Sequence, residues 1–207
     1  MSTVFCGCES LGSALPRARY VAMRTFFWYN RKCGHNVRSA VEYAAKRYDM
    51  DKIASFTVDH LRLLPGLYVS RKDSRGDVTV TTFDLRFTAP NREPVMDMPA
   101  VHTIEHLGAT VLRNGASKDD IVYFGPMGCR TGFYLIVFGD KTPADVYGLV
   151  VGMCEFILGY DGEIPGAKAA ECGNYLEQNL SEAKYYVRRY LNELKENKRY
   201  DYPTAIE

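Results

Sequence analysis

The sequence contains the stretch His102-Thr103-Ile104-Glu105-His106, in which two histidines lie four residues apart. On an α-helix these positions share one face, so both imidazoles can reach one metal ion. Glu105 stands directly before the second histidine, where its carboxylate can exchange a proton beside a metal without being a ligand. The motif is short, and a core helix with two hydrogen-bonded histidines explains it equally well when it is considered alone.

The residues around this stretch favour a helix over positions 100–113. Val101, Ile104, Leu107 and Val111 recur at helical spacing, and Pro99 precedes them, as a proline often does at the start of a helix. Only four histidines occur in the chain, and two of them stand here. That concentration strengthens the metal interpretation.

Residues 77–88 alternate between two sets of side chains, which predicts a long β-strand. Phe83 and Leu85 point to one face, and Asp84 and Arg86 point to the other. By periodicity alone, the polar face is most simply explained as a solvated one. Shorter strands are predicted at 53–59, 66–71, 121–124 and 133–138, with a turn at 72–76.

Two further helices follow from their start signals and apolar spacing. Thr142 and Pro143 form an N-cap and first helical residue, and the apolar pattern continues to Gly159. Ser181 is expected to cap a last helix, whose buried stripe includes Val187 and Leu191.

The turn between positions 125 and 132 surrounds one cysteine with three glycines and a proline. Such a composition favours tight backbone geometry that holds the Cys129 thiol in a fixed place. Arg130 beside it could favour the thiolate, although cysteines in such turns are often just small buried residues.

The composition describes an ordinary globular chain of 207 residues, 46% hydrophobic, with a net charge of +1. This charge gives no general attraction to nucleic acid or to acidic membranes, and no apolar run is long enough to span a bilayer. Six cysteines are spread along a chain too large to need disulfides. We therefore expect free thiols and a cytoplasmic protein.

Residues 1–49 differ in charge from the remainder of the chain. They contain eight basic and three acidic residues, whereas residues 50–207 contain 18 and 22. We expect an N-terminal extension, either a transit-like segment or upstream sequence before a true start at Met50, followed by one catalytic domain over 50–207. The set Cys6, Cys8, Cys33 and His35 matches no familiar zinc spacing.

Five motifs, in this order, resemble the S-ribosylhomocysteine lyase (LuxS) family from about residue 50 to about residue 194. They are SFTVDH at 55–60, FDLRF at 83–87, HTIEH at 102–106, PMGCRTG at 126–132 and ECG at 171–173. The resemblance implies an α+β fold, in which an antiparallel sheet packs against helices in a two-layer sandwich. It also implies a homodimer with active sites at the subunit interface.

The resemblance assigns roles to eight residues. His102, His106 and Cys172 are implied as ligands of one divalent metal, Fe2+ in working enzymes and often Zn2+ or Co2+ as isolated. Cys129 and Glu105 are implied as the acid/base groups, and Ser55, His60 and Arg86 as substrate-binding residues. The family usually has an aspartate and a serine where this chain has Tyr123 and Gly125, which indicates different contacts to the substrate's amino-acid end.

The family reaction cleaves the thioether of S-ribosylhomocysteine, giving homocysteine and 4,5-dihydroxy-2,3-pentanedione, the precursor of autoinducer-2. Two alternatives remain open from the residues. The first is a zinc peptidase, because His-x-x-Glu-His is also the inverzincin signature. The second is a metal-stabilised binding module without catalysis, which would normally use four protein ligands.

Overall fold

Four antiparallel strands form the sheet of the computed structural model, which describes residues 53–203. They are β1 (Gly66–Arg75), β2 (Val78–Arg86), β3 (Ile121–Pro126) and β4 (Gly132–Phe138), in the spatial order β1-β2-β4-β3. The β2–β4 pairing sets Asp84 opposite Tyr134 and Arg86 opposite Gly132. Expectations about residues 1–49, including the start at Met50 and the Cys6, Cys8, Cys33 and His35 set, lie outside the described residues.

Three helices cover one face of this sheet within the described range. They are α1 (Met98–Asn114), α2 (Pro143–Gly159) and α3 (Leu180–Asn197). A capping box between Thr142 and Asp145 begins α2, because each residue's side chain satisfies the other's backbone N–H. The α+β two-layer fold that the resemblance implied is confirmed.

The core lies between the sheet and the helices. Phe83 and Leu85 of β2 are fully buried there, against Ile104 and Leu107 of α1. Neighbouring residues of a strand point to opposite faces, so Asp84 and Arg86 point away from the helices. The solvated-face interpretation of these two residues is nevertheless wrong, since they are only 1% and 4% exposed. They form a buried ion pair, and the Tyr202 hydroxyl donates a hydrogen bond to Asp84.

The segment before β1 differs from its prediction. Residues 53–59 form no strand; a short 3-10 turn at Ala54–Phe56 begins a series of turns instead. The Asp59 side chain accepts a hydrogen bond from the backbone of Leu61 (3.0 Å), which favours a turn over an extended chain. A short apolar run does not show whether a neighbouring strand is available to pair with it, so the sequence alone could not exclude a turn here.

Two other boundaries shift by a few residues. Strand β1 continues through the predicted turn to Arg75, and the chain reverses at Gly76, whose φ of +60° suits a glycine. Helix α3 begins one residue before Ser181, because the Asn179 side chain accepts from the Glu182 N–H and so acts as the cap. No helix among residues 53–203 is long and apolar enough to cross a membrane.

Candidate metal centre and catalytic cavity

Helix α1 and the loop before α3 bring three potential metal ligands together. One nitrogen each from His102 and His106 and the sulfur of Cys172 lie within 4.8 Å of one another. The two rings are 4.6 Å apart and almost perpendicular, and Cys172 Sγ lies 3.3 Å from His102 Nε2. The sequence therefore brings together two residues one helical turn apart and a third about 70 residues later.

Backbone carbonyls fix the orientation of both imidazoles. His102 Nδ1 lies 2.9 Å from the Glu177 carbonyl, and His106 Nδ1 lies 2.6 Å from the Pro165 carbonyl. A carbonyl only accepts, so each Nδ1 carries the proton and each Nε2 keeps a free lone pair. Two such nitrogens and one thiolate fit a divalent transition metal and leave a fourth position for water or substrate.

The loop that carries Cys172 is tied to α1 by a buried hydroxyl. Thr103 Oγ1 accepts from the Asn179 N–H (2.9 Å), and its one hydrogen lies between two acceptors, Gln178 Oε1 (2.7 Å) and the Pro99 carbonyl (2.9 Å). Gly166, at φ +74°, passes so close to His106 that a Cβ there would lie 3.2 Å from Nδ1. These contacts hold the loop against the histidine face of the helix.

A cavity of about 220 Å³ lies on the other face of the sheet. Four of the predicted site residues line it, namely Ser55, His60, Arg86 and Cys129. His60 Nδ1 donates to the Val58 carbonyl (2.8 Å), which fixes its ring at the wall. The substrate-binding residues and the catalytic cysteine of the sequence analysis thus share one pocket.

The turn between β3 and β4 presents Cys129 in this cavity. Arg130 adopts φ +59°, and its N–H donates to the Met127 carbonyl (2.9 Å), which closes the turn. Cys129 Sγ lies 3.1 Å from Thr131 Oγ1 and 4.0 Å from an Arg86 nitrogen. Burial raises the pKa of the Cys129 thiol, but hydrogen bonds from Thr131 and the charge of Arg86 outweigh it, so the pKa is lowered.

A buried polar network holds Arg86 in position. Its Nη2 donates to Asp84 Oδ2 (2.5 Å), and the same oxygen accepts from the Tyr202 hydroxyl (2.8 Å). The ring of Tyr202 stacks on Tyr68 at 4.8 Å. Sequence reasoning did not assign Asp84, Thr131 or Tyr202 to the site. The alternation of Asp84 with Arg86 was the one available signal, and nothing in the sequence pattern pointed to Tyr202.

The eight predicted site residues fall into two groups in one copy of the chain. The cavity lining includes none of the three metal ligands and does not include Glu105, which lies on α1 between the histidines. The ligands belong to the helix layer, whereas the cavity lies across the sheet. Tyr123 folds over Gly125, and neither of these residues lines the cavity.

Comparison with known proteins gives one consistent result. Residues 53–201 match the family described as S-Ribosylhomocysteinase (LuxS). The S-ribosylhomocysteine lyase of Finegoldia magna is 60% identical over 143 residues, which are 69% of this chain and 91% of that protein. The lyase of Clostridium acetobutylicum is 61% identical over 142 residues (68% and 90%), and that of Borreliella burgdorferi 54% over 151 residues (71% and 96%).

Proposed function

The chain belongs to the S-ribosylhomocysteinase (LuxS) family and is a lyase that acts on S-ribosylhomocysteine, and we propose that His102, His106 and Cys172 hold its metal. The convergence of these three side chains in a member of this family is the observation that carries the proposal. With two imidazoles and a thiolate, the ligand set suits a transition metal rather than Mg2+ or Ca2+. Following the family resemblance, we propose Fe2+.

The metal and the acid/base residues have separate tasks in the proposed mechanism. A divalent ion held by this set supplies Lewis-acid polarisation of the sugar carbonyl, which acidifies the neighbouring C–H. Cys129, as a thiolate, removes that proton and Glu105 protonates the carbonyl oxygen, which gives an enediol. Cys129 then returns its proton to the former carbonyl carbon while Glu105 takes the proton of the neighbouring hydroxyl, so that the carbonyl has moved by one carbon and both residues are restored. Repetition brings the carbonyl to the position at which the thioether is β to it.

Elimination then separates the two products. Removal of the proton between the carbonyl and the C–S carbon forms a C=C bond and expels homocysteine as its thiolate, which takes up a proton. The remaining carbon chain is the enol form of 4,5-dihydroxy-2,3-pentanedione. No oxidant or reductant is consumed, because each step moves only protons and electron pairs.

Ser55, His60 and Arg86 are proposed to bind the substrate. All three line the cavity that contains Cys129, which supports this assignment. The guanidinium of Arg86 suits the polar oxygens of an open-chain sugar. The contacts to the substrate's amino-acid end, near Tyr123 and Gly125, stay a prediction.

A homodimer is proposed because each copy carries two separate half-sites. The metal ligands and Glu105 lie in the helix layer, and the Cys129 cavity lies across the sheet. A second copy that brings its own half-site to this cavity would complete both active sites. We also propose a cytoplasmic location, since both Cys129 and Cys172 must stay reduced to act.

The test is release of free thiol from S-ribosylhomocysteine by protein loaded with Fe2+ under anaerobic conditions. We expect homocysteine release that stops when the metal is chelated and returns when Fe2+ is restored. Peptide hydrolysis without thiol release would favour the zinc peptidase. Metal binding with neither reaction would favour the non-catalytic binding module.

A further inference from the structure

Thr131 lies between the two groups that define the chemistry of the cavity. Its hydroxyl oxygen is 2.5 Å from Arg86 Nη1 and 3.1 Å from Cys129 Sγ. The residue is 5% exposed, so water has little access to the hydroxyl. Within the described residues these are the two polar groups that Thr131 Oγ1 contacts.

The chemistry of these partners fixes the direction of the hydrogen bonds. A guanidinium nitrogen can only donate, so Thr131 Oγ1 must accept from Arg86. The hydroxyl has one hydrogen, and Cys129 Sγ is the remaining partner within reach. A thiolate is a strong acceptor of this hydrogen bond, whereas the sulfur of a neutral thiol is a weak one. The arrangement therefore stabilises the charged form of the sulfur more than its neutral form.

We propose that Thr131 is a positioning residue whose hydroxyl, oriented by Arg86, donates its only proton to Cys129 Sγ and holds the sulfur as a thiolate. This inference rests on the proposed function, in which that thiolate is the base. Arg86 Nη1 lies 4.0 Å from the sulfur and its charge favours the thiolate directly, whereas the Thr131 hydroxyl, at 3.1 Å, is the closer hydrogen-bond donor.

The backbone around Thr131 is held firmly enough for such a role. Its carbonyl accepts from the N–H groups of Phe87 (3.0 Å) and Thr88 (3.1 Å). The next residue, Gly132, passes directly against the Leu85 carbonyl, where no Cβ would fit. The hydroxyl is therefore fixed by the β2–β4 pairing and does not depend on a mobile loop.

Other ionisable groups face the same cavity and must be considered in any titration. They are Asp84 and Arg86 from β2, Tyr134 from β4, His60 from the segment before β1 and Tyr202 from the chain end. Asp84 pairs with Arg86, which leaves the thiol facing a compensated ion pair rather than a free cation. A nearby hydrogen-bond donor therefore matters more to the sulfur than the net charge of the cavity.

Three substitutions test the proposal in the metal-loaded full chain. Thr131→Val removes the hydroxyl at nearly constant shape, and Thr131→Ser retains it. Thr81→Val is the matched control, because Thr81 is also a buried β-sheet threonine, whose hydroxyl donates to the Gly139 carbonyl (2.7 Å) away from the cavity. Thr131→Ala replaces the valine variant if that variant does not fold.

The measurement is the rate of iodoacetamide alkylation at Cys129 against pH, followed by mass spectrometry of its peptide. We expect the pH at which the alkylation rate is half of its maximum to rise by about one unit in Thr131→Val, because one charge-assisted hydrogen bond to the thiolate is lost. Thr131→Ser and Thr81→Val should keep the original midpoint. An unchanged midpoint in Thr131→Val, or an equal shift in Thr131→Ser, would overturn the proposal.

Turnover separates this inference from the proposed function. If Cys129 is the base, Thr131→Val should release thiol about tenfold more slowly than the original protein at pH values below the original alkylation midpoint. The rate should recover at higher pH. A shifted alkylation midpoint with unchanged turnover would uphold the hydroxyl's role and contradict the base role of Cys129.

Discussion

Three cysteines in the described part of the chain have three different environments. Cys129 is exposed to the cavity beside hydrogen-bond donors, and its thiol pKa is lowered. Cys154 is fully buried in α2, where burial raises its pKa to about 12. Cys172 lies beside the imidazoles. Side-chain identity therefore does not decide reactivity; the surroundings do.

Alkylation should discriminate between Cys129 and Cys154. The lowered pKa means that the Cys129 thiolate persists to lower pH than a free cysteine thiolate, and the rate should fall as pH drops through that lowered value. Cys154 should react only after unfolding. We would measure both by peptide mass spectrometry in native protein and in guanidinium. Native labelling of Cys154 at the rate of Cys129 would contradict the burial argument.

Substitutions at the two proposed acid/base residues should separate chemistry from metal binding. Cys129→Ala and Glu105→Gln should bind one metal ion per chain and release homocysteine at least about 100-fold more slowly, because each removes a proton-transfer group. Metal content by elemental analysis and thiol release by a colorimetric assay check the two expectations. Near-normal thiol release by either variant would remove that residue from the mechanism.

His106→Ala, unlike the two acid/base variants, should lose the metal itself. It removes one of three protein ligands, so metal content should fall and added Fe2+ should no longer raise the melting temperature. The comparison is melting with and without Fe2+ in both proteins. Equal stabilisation of the two would mean that the metal binds elsewhere.

At the level of elements, the metal centre depends on how a helix and a loop are joined. Helix α1 supplies both histidines, but Cys172 stands in a loop without regular structure. Thr103 connects them, because its hydroxyl bonds to Gln178 and Asn179 across 75 and 76 residues of chain. Its contribution to the centre is to keep the sulfur close to the imidazoles.

Thr103→Val should therefore weaken metal binding without removing a ligand. We expect affinity to fall by about 10- to 100-fold, as for other residues that orient metal ligands. Competition with a chromophoric chelator measures the change. Thr110→Val is the control, since Thr110 lies on the same helix and its hydroxyl bonds within α1, to the His106 carbonyl. A similar loss in both variants would point to a general weakening of the helix.

The elements that could be predicted from sequence are those with a local signature. The apolar spacing and the proline are local signals that predict helix α1 at 100–113, and the helix runs from Met98 to Asn114. The Asp84–Arg86 pair was misinterpreted, since alternation shows which face a residue occupies but not what covers that face. Tyr202 lies 118 residues from Asp84 in sequence, and no periodicity reports such a contact.

At the level of the whole molecule, the chain outside the family match needs its own test. The family match covers residues 53–201, and the proposed start at Met50 stays a prediction. A variant that begins at Met50 should release homocysteine at the rate of the full chain, because every proposed site residue is retained. Intact mass of the protein from its native host then shows which chain the cell makes.

The proposed dimer predicts that two inactive variants restore activity when they are mixed, which a site built within one copy would not allow. If Cys129 of one copy works with the metal of the other, a hybrid of Cys129→Ala and His106→Ala chains has one site with both defects and one with neither. Each parent dimer is inactive. Random mixing of equal amounts makes half of the dimers hybrid, each with one working site, so activity should reach about one quarter of normal.

The control for this experiment is a hybrid of Cys129→Ala and Arg86→Ala chains. Both residues lie in the same cavity, so under the two-copy arrangement each site of that hybrid keeps one defect and activity should stay near the parent level. Chains must be mixed under denaturing conditions and refolded with Fe2+, because a stable dimer exchanges slowly. Loss of activity in both hybrids would place the metal and Cys129 of one active site in the same copy. The metal ligands and the cavity would then have to act on one substrate from opposite faces of the sheet.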